Sequence, residues 1–132
     1  MVKGIIASGT ALASDVNIPF TPTIVTGNTT YDSSTNSVKI AKPGYYDVYV
    51  SLPLMSAATD PVTIQLYANG TAISEAIAIN HITTTVGRVT CQVFDTVLVK
   101  SVPAPSVAEI SARIVGNTAT LSGVGMIIVK ES

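Results

Sequence analysis

The chain has 132 residues, a formal net charge of −1 and charged side chains at only 11% of positions, against roughly 25% in soluble domains, and its mean hydropathy is +0.49. Seven scattered basic residues give no stripe for a phosphate backbone. No apolar run approaches the roughly 20 residues of a membrane helix, and consecutive apolar residues near 123–129 break the alternation of a membrane barrel.

A chain of this length is most simply one domain, residues 1–132, and its apolar excess calls for a partner surface. In chain order, residues 3–10 read as a first strand; Lys3 and Ala11-Leu12-Ala13 imitate a secretory leader, but Ser8, Gly9 and Thr10 interrupt its apolar stretch. Strands are predicted at 16–20, 23–25 and 37–41, with turn chemistry at Gly27-Asn28, Asp32-Ser33-Ser34 and Pro43-Gly44. The run 45–55 alternates Tyr46, Val48, Val50 and Leu52 against Tyr45, Asp47, Tyr49 and Ser51, the two-residue period of a strand with large side chains on both faces.

Strands at 62–68 and 71–79 flank Asn69-Gly70, a pair that supplies the two positive φ angles of a type I′ hairpin. Further strands are predicted at 86–99, 106–115 and 118–130, with Gly116-Asn117 read as a second hairpin turn. The two prolines of 101–105 mark a rim loop. No window holds helical periodicity, so the chain is read as all-β with ten strands.

Catalytic chemistry finds no foothold. His81 is the only histidine, which removes a histidine-rich metal site and any recognisable Ser-His-Asp signature. Cys91 lies in an alternating strand and reads as a small buried thiol that cannot close an intrachain disulfide. Asp15, Asp32, Asp47, Asp60 and Asp95 follow no calcium-loop spacing, and Asp32 reads as a turn residue. The sequons at Asn28 and Asn69 are explained by their turns. Tyr31, Tyr49 and Tyr67 read either as core or interface packing or, if exposed, as a platform for stacking carbohydrate.

The turn at Tyr31-Asp32, the following strand, and Pro43, Gly44, Tyr46, Val48 and Val50 in a Pro-Gly-x-Tyr-x-hydrophobic-x-hydrophobic order resemble the globular heads of the C1q/tumour-necrosis-factor-like superfamily. The hairpin Leu66–Gly70 and the strand ending Gly125-Met126-Ile127-Ile128 agree, and the resemblance spans nearly the whole chain. Val48 and Gly123 stand where that family commonly has Phe, and residues 101–106 replace its usual Gly-Asp turn. The resemblance implies a ten-stranded jelly-roll β-sandwich assembled as a tight homotrimer. Tyr45, Tyr49, Val124, Met126 and Ile128 are the expected trimer interface. An interface hiding roughly 1,000–2,000 Å² per subunit would contribute tens of kcal/mol of transfer free energy before the costs of association. No metal or cofactor is expected; were an ion held on the three-fold axis, as in some relatives, Asp60 is the carboxylate to inspect first.

These features together predict a non-enzymatic bacteriophage virion protein: a trimeric fibre or spike head, or a capsid decoration, assembled in the host cytoplasm and exposed outside. Its expected partners are its own copies, other virion proteins and a host surface saccharide held by loops 21–37, 57–61, 80–87 and 101–106; neither nucleic acid nor membrane insertion is expected. The alternatives are a bacterial surface or spore-coat trimeric head, and a secreted ligand of the tumour-necrosis-factor type.

Overall fold

The computed structural model describes residues 1–56, 61–81, 87–99 and 108–132, with the side chains of 56, 74–81 and 87 left aside. Its strands are β1 (Val2–Ile6), β2 (Ala11–Leu12), β3 (Thr21–Val25), β4 (Thr29–Asp32), β5 (Ser37–Ile40), β6 (Gly44–Ser56), β7 (Pro61–Ala68), β8 (Thr71–His81), β9 (Gly87–Val99), β10 (Ala108–Gly116), β11 (Ala119–Leu121) and β12 (Gly125–Glu131). They form two sheets, one of seven strands in the order β2-β11-β6-β12-β1-β3 with β9 also on β6, and one of five in the order β4-β5-β10-β7-β8.

The period-2 patterns decide which side chains meet between the sheets. From the larger sheet, Tyr46, Val48, Val50, Leu52 and Leu54 of β6 are fully buried, with Cys91, Val93, Val97 and Val99 of β9 and Ile127 and Val129 of β12. From the smaller sheet come Val38, Ile40, Val62, Ile64, Leu66, Ile110 and Ile114, all in one apolar cluster. Tyr46 brings a hydroxyl into this interior and donates it to the Lys42 carbonyl at 2.7 Å, which satisfies the group at the edge of the core.

β6 organises the larger sheet. One edge pairs with β9 along its whole length; the other is shared by β12, which covers Tyr46 to Ser51, and β11, which covers Leu54 and Met55. Pro53 falls where that edge passes from β12 to β11, a break at which a missing N–H does least harm to a ladder. Gly123 sits against the Pro53 ring, 3.1 Å from where a Cβ would stand. Gly125 is tighter still, since a Cβ would lie 2.4 Å from Ile6 and 2.9 Å from Leu52.

Several predicted elements are corrected. Twelve strands stand among the described residues rather than ten. Residues 118–130 form two strands, because Ser122 and Gly123 must pass Pro53 before β12 begins. Residues 29–32, taken as part of a loop, form β4 against β5. Residues 16–20 are not a strand: Ser14 and Asn17 make isolated bridges to Ile114 and Arg113, and the Ile18 N–H reaches the Ala112 carbonyl. This segment lines β10 beyond Ile110, where β5 has ended.

Asn69 and Gly70 have φ of 52° and 76°, as the β7–β8 hairpin requires. Gly116-Asn117 is not a second hairpin turn. It carries the chain from β10 in the smaller sheet to β11 in the larger one, with Gly116 at φ 90° and the Asn117 amide donating to the Pro61 carbonyl. An Asn/Gly pair fixes a local reversal of the backbone; it does not choose the next pairing partner.

Candidate functional site

The outward-facing side of the larger sheet is built from alternate residues of β1, β12, β6 and β9. Directly paired residues of an antiparallel ladder share a face, and the register therefore sets Lys3, Ile128, Tyr49 and Phe94 in one row across four strands. Ile5, Met126, Ser51 and Gln92 form the adjacent row. On the other side of the first row stand Lys130, Asp47 and Thr96, followed by Tyr45 opposite Leu98.

The fold thus brings Tyr45, Tyr49, Met126 and Ile128 onto one sheet face. Val124 precedes β12 and is 62% exposed. Tyr49, Met126 and Ile128 are half-buried by their neighbours, whereas Tyr45 is 59% exposed. Ile5 escaped the sequence reading, and so did two apolar residues of β9, Phe94 and Leu98, 63% and 48% exposed. The signal in β9 was present, since Cys91, Val93, Val97 and Val99 alternate with Gln92, Phe94, Thr96 and Leu98, giving β9 large apolar residues on both faces.

Polar groups on this face are matched locally. Gln92 donates to the Tyr49 hydroxyl at 3.1 Å. Asp47 accepts from Ser132 Oγ at 2.6 Å and from Thr96 Oγ1 at 2.9 Å. These two hydroxyls, Ser132 first, hold the Asp47 carboxyl below the usual carboxylate range, so it is ionised at neutral pH.

The remaining sequence candidates lie apart. Asp60 falls outside the described residues, as do 57–60 of the predicted contact loop 57–61, 82–86 of the loop 80–87, and the whole of 101–106. The His81 backbone pairs with Pro61. Cys91 is fully buried in the core. Among the described residues no three His, Cys, Asp or Glu side chains group as metal ligands. Asp32 is the turn residue the sequence suggested, accepting from both the N–H and the hydroxyl of Ser34. The Asn69 side chain accepts from the Glu109 N–H at 2.9 Å, tying the hairpin to β10.

Tyr31, Tyr49 and Tyr67 do not form one stacking platform. Tyr49 belongs to the larger sheet, Tyr31 and Tyr67 to the smaller. The Tyr31 hydroxyl accepts the Phe20 N–H at 2.8 Å, and the Tyr67 ring lies beneath Arg113, 4.1 Å from the guanidinium carbon.

No protein-family model matches the chain, and no curated protein matches it. Solved structures do. The globular domain of zebrafish complement 1qA superposes with a TM-score of 0.74 at 7% identity, covering 98% of this chain and 94% of that one. Eiger TNF from S. frugiperda gives 0.69 at 11% identity, covering 99% and 94%. Murine APRIL at pH 5.0 gives 0.69 at 15% identity over 98% of both chains. At such identities it is the path of the backbone that is shared: this chain has the all-β, two-sheet C1q/TNF-like jelly-roll fold.

Proposed function

We propose that the chain is a non-enzymatic binding and structural module that works as a homotrimer, closed through the outer face of the larger sheet, on the exterior of a bacteriophage virion. The observation that carries the assembly is the row Ile128, Tyr49, Phe94, with Met126 and Ile5 in the adjacent row and Tyr45 and Leu98 beyond the polar row of Lys130, Asp47 and Thr96. These are large apolar side chains gathered on a sheet face that faces solvent in the single chain. Further copies of the chain are the occupant that fits it. Gln92, Tyr49, Asp47 and Thr96 on the face are already hydrogen-bonded within the subunit, so covering them orphans none of these groups, and Lys3 and Lys130 have long stems that can keep their ammonium groups in water. A net charge of −1 also sets little repulsion against self-association. The count of three follows the resemblance, since members of this fold typically form homotrimers.

Light scattering on the purified protein tests the assembly. Three times the 13.6 kDa chain mass at micromolar concentration is expected, and a stable monomer would refute it. The virion setting draws on the lone buried thiol, which lets the fold mature in a reducing cytoplasm without a disulfide. Its check is the gene's surroundings. Capsid or tail genes on either side support it, whereas a Gly-x-y tract upstream in the same frame points to a bacterial surface or spore-coat head.

A further inference from the structure

Where residues 14–18 run beside β10, they enclose an open groove of about 520 Å³ with the 34–36 turn on its far side. Arg113 lines it and is held at two points: its Nε donates to Asn17 Oδ1 at 2.8 Å, and its guanidinium lies over the Tyr67 ring. Asn17 is a strut, since its Nδ2 also donates to the Thr35 carbonyl at 2.9 Å and so fixes the turn to the same residue that fixes the arginine. Among the described residues no carboxylate lies within ion-pair distance of Arg113, and no hydrogen bond takes up its terminal N–H groups. A half-buried guanidinium clamped by an amide and a ring, with its fork unused, is preorganised for a planar anion.

The rest of the lining narrows the ligand. Asp15 lies on the 14–18 side and Asn36 on the turn side, and both are non-glycine residues in the left-handed region, at φ 61° and 50°. Among the described residues only Asn69 shares that trait. Such backbone persists where its surroundings over-determine it: the Asp15 N–H is bound to the Ile114 carbonyl, and Asn36 Oδ1 accepts from the Tyr31 hydroxyl. One cation beside one carboxylate does not suit a polyanion such as nucleic acid, which draws on a basic patch. It suits a ligand with a single acid group and several hydroxyls, which Asp15 and the Thr35 carbonyl can accept. The exposed Val16 and Pro19 supply apolar surface for the C–H face of a sugar ring.

We propose that this groove is a subsite for an acidic saccharide, with the carboxylate of a uronic or comparable sugar acid on the Arg113 guanidinium and its hydroxyls between Asp15 and the 34–36 turn. The proposal deepens the reading of the chain as a surface-binding module and rests on it for the class of ligand. A receptor in such a site is held weakly per copy and gains avidity from repetition in the assembly.

The test is amide NMR on the full assembled chain, titrated with a glucuronic-acid-containing disaccharide, its methyl ester and a short Glu-rich peptide. The acid should shift the amides of Asn17, Asn36 and Arg113 and bind at least tenfold more tightly than the ester. Arg113→Gln should lose most of that preference. Asn36→Gly, which keeps a backbone suited to positive φ, should weaken the acid several-fold while leaving the fold intact. Equal binding of acid and ester, an unchanged preference in Arg113→Gln, silence toward the acid, or tighter binding of the peptide would each overturn the proposal. Light scattering on the same sample separates the two readings: a trimer with a silent groove removes only the subsite, and a monomer that binds the acid through Arg113 removes only the assembly.

Discussion

Tyr49 of β6 and Ile128 of β12 stand directly opposite each other on the outer face of the larger sheet, and Phe94 flanks Tyr49 on its other side. A tyrosine between two apolar residues is a pairing that sheets use against a second surface, as aromatic side chains carry much of the energy of buried interfaces. Placing a charge in this row leaves the core untouched and strands that charge if the face is covered. Tyr49→Asp or Ile128→Lys is therefore expected to lower the scattering mass toward 13.6 kDa, with at least a tenfold rise in the dissociation constant and unchanged far-UV circular dichroism. Full retention of mass in both variants would place the interface elsewhere.

Gly125 is a packing constraint rather than a turn residue. Ile6 and Leu52 occupy the space any side chain would need, and both lie in the buried core. Gly125→Val should destabilise the fold by about 1–3 kcal/mol, the usual cost of overpacking, as a lower urea midpoint. A midpoint equal to the parent would show that the core yields there.

The hairpin at Asn69-Gly70 tests backbone conformation alone, because nothing lies within 4 Å of a Cβ placed on Gly70. With φ at 76°, Gly70→Val meets no neighbour yet adopts a backbone that β-branched residues disfavour. The expected cost is about 1–3 kcal/mol, measured by thermal or urea unfolding, and Gly70→Asn should cost clearly less.

Asp32 gives a pH dependence with a defined sign. The Ser34 hydroxyl, then the Ser34 N–H, hold its carboxyl below the ordinary 3.8 in the folded state. A depressed folded value means that the stabilisation is complete above the unfolded value and is lost as pH falls through the folded one. The difference in urea midpoint between the parent and Asp32→Asn should be constant from pH 7 to about 5. Below 3.8 it should shrink. A difference that widens in acid would contradict the assigned bonds.

Tyr46 isolates one hydrogen bond at the edge of the core. Its hydroxyl donates to the Lys42 carbonyl, and burial pushes its phenol up from 10.0, so it stays protonated at any ordinary pH. Tyr46→Phe keeps the ring and should cost about 0.5–1.5 kcal/mol, read by calorimetry.

The class of structure and the strand faces were legible in the order of the amino acids alone. Period-2 alternation in 45–55 assigned Tyr46, Val48, Val50 and Leu52 to one side and Tyr45 and Tyr49 to the other, because side-chain direction along a strand is fixed by the backbone alone. Asn69-Gly70 announced its turn for the same reason, as positive φ is a local property. Whatever depends on which distant segments meet had to wait for the tertiary structure. Residues 16–20 have the composition of a strand but lie where β5 no longer covers β10, and Gly116-Asn117 has the composition of a hairpin but changes sheets. Phe94 joined Tyr49 only through the register of β6 with β9. Arg113, one scattered cation in the sequence, became a clamped guanidinium once Asn17 and Tyr67 were brought to it from other parts of the chain. Local geometry is written residue by residue. Pairing is a competition among all segments for one set of partners, and only the folded chain resolves it.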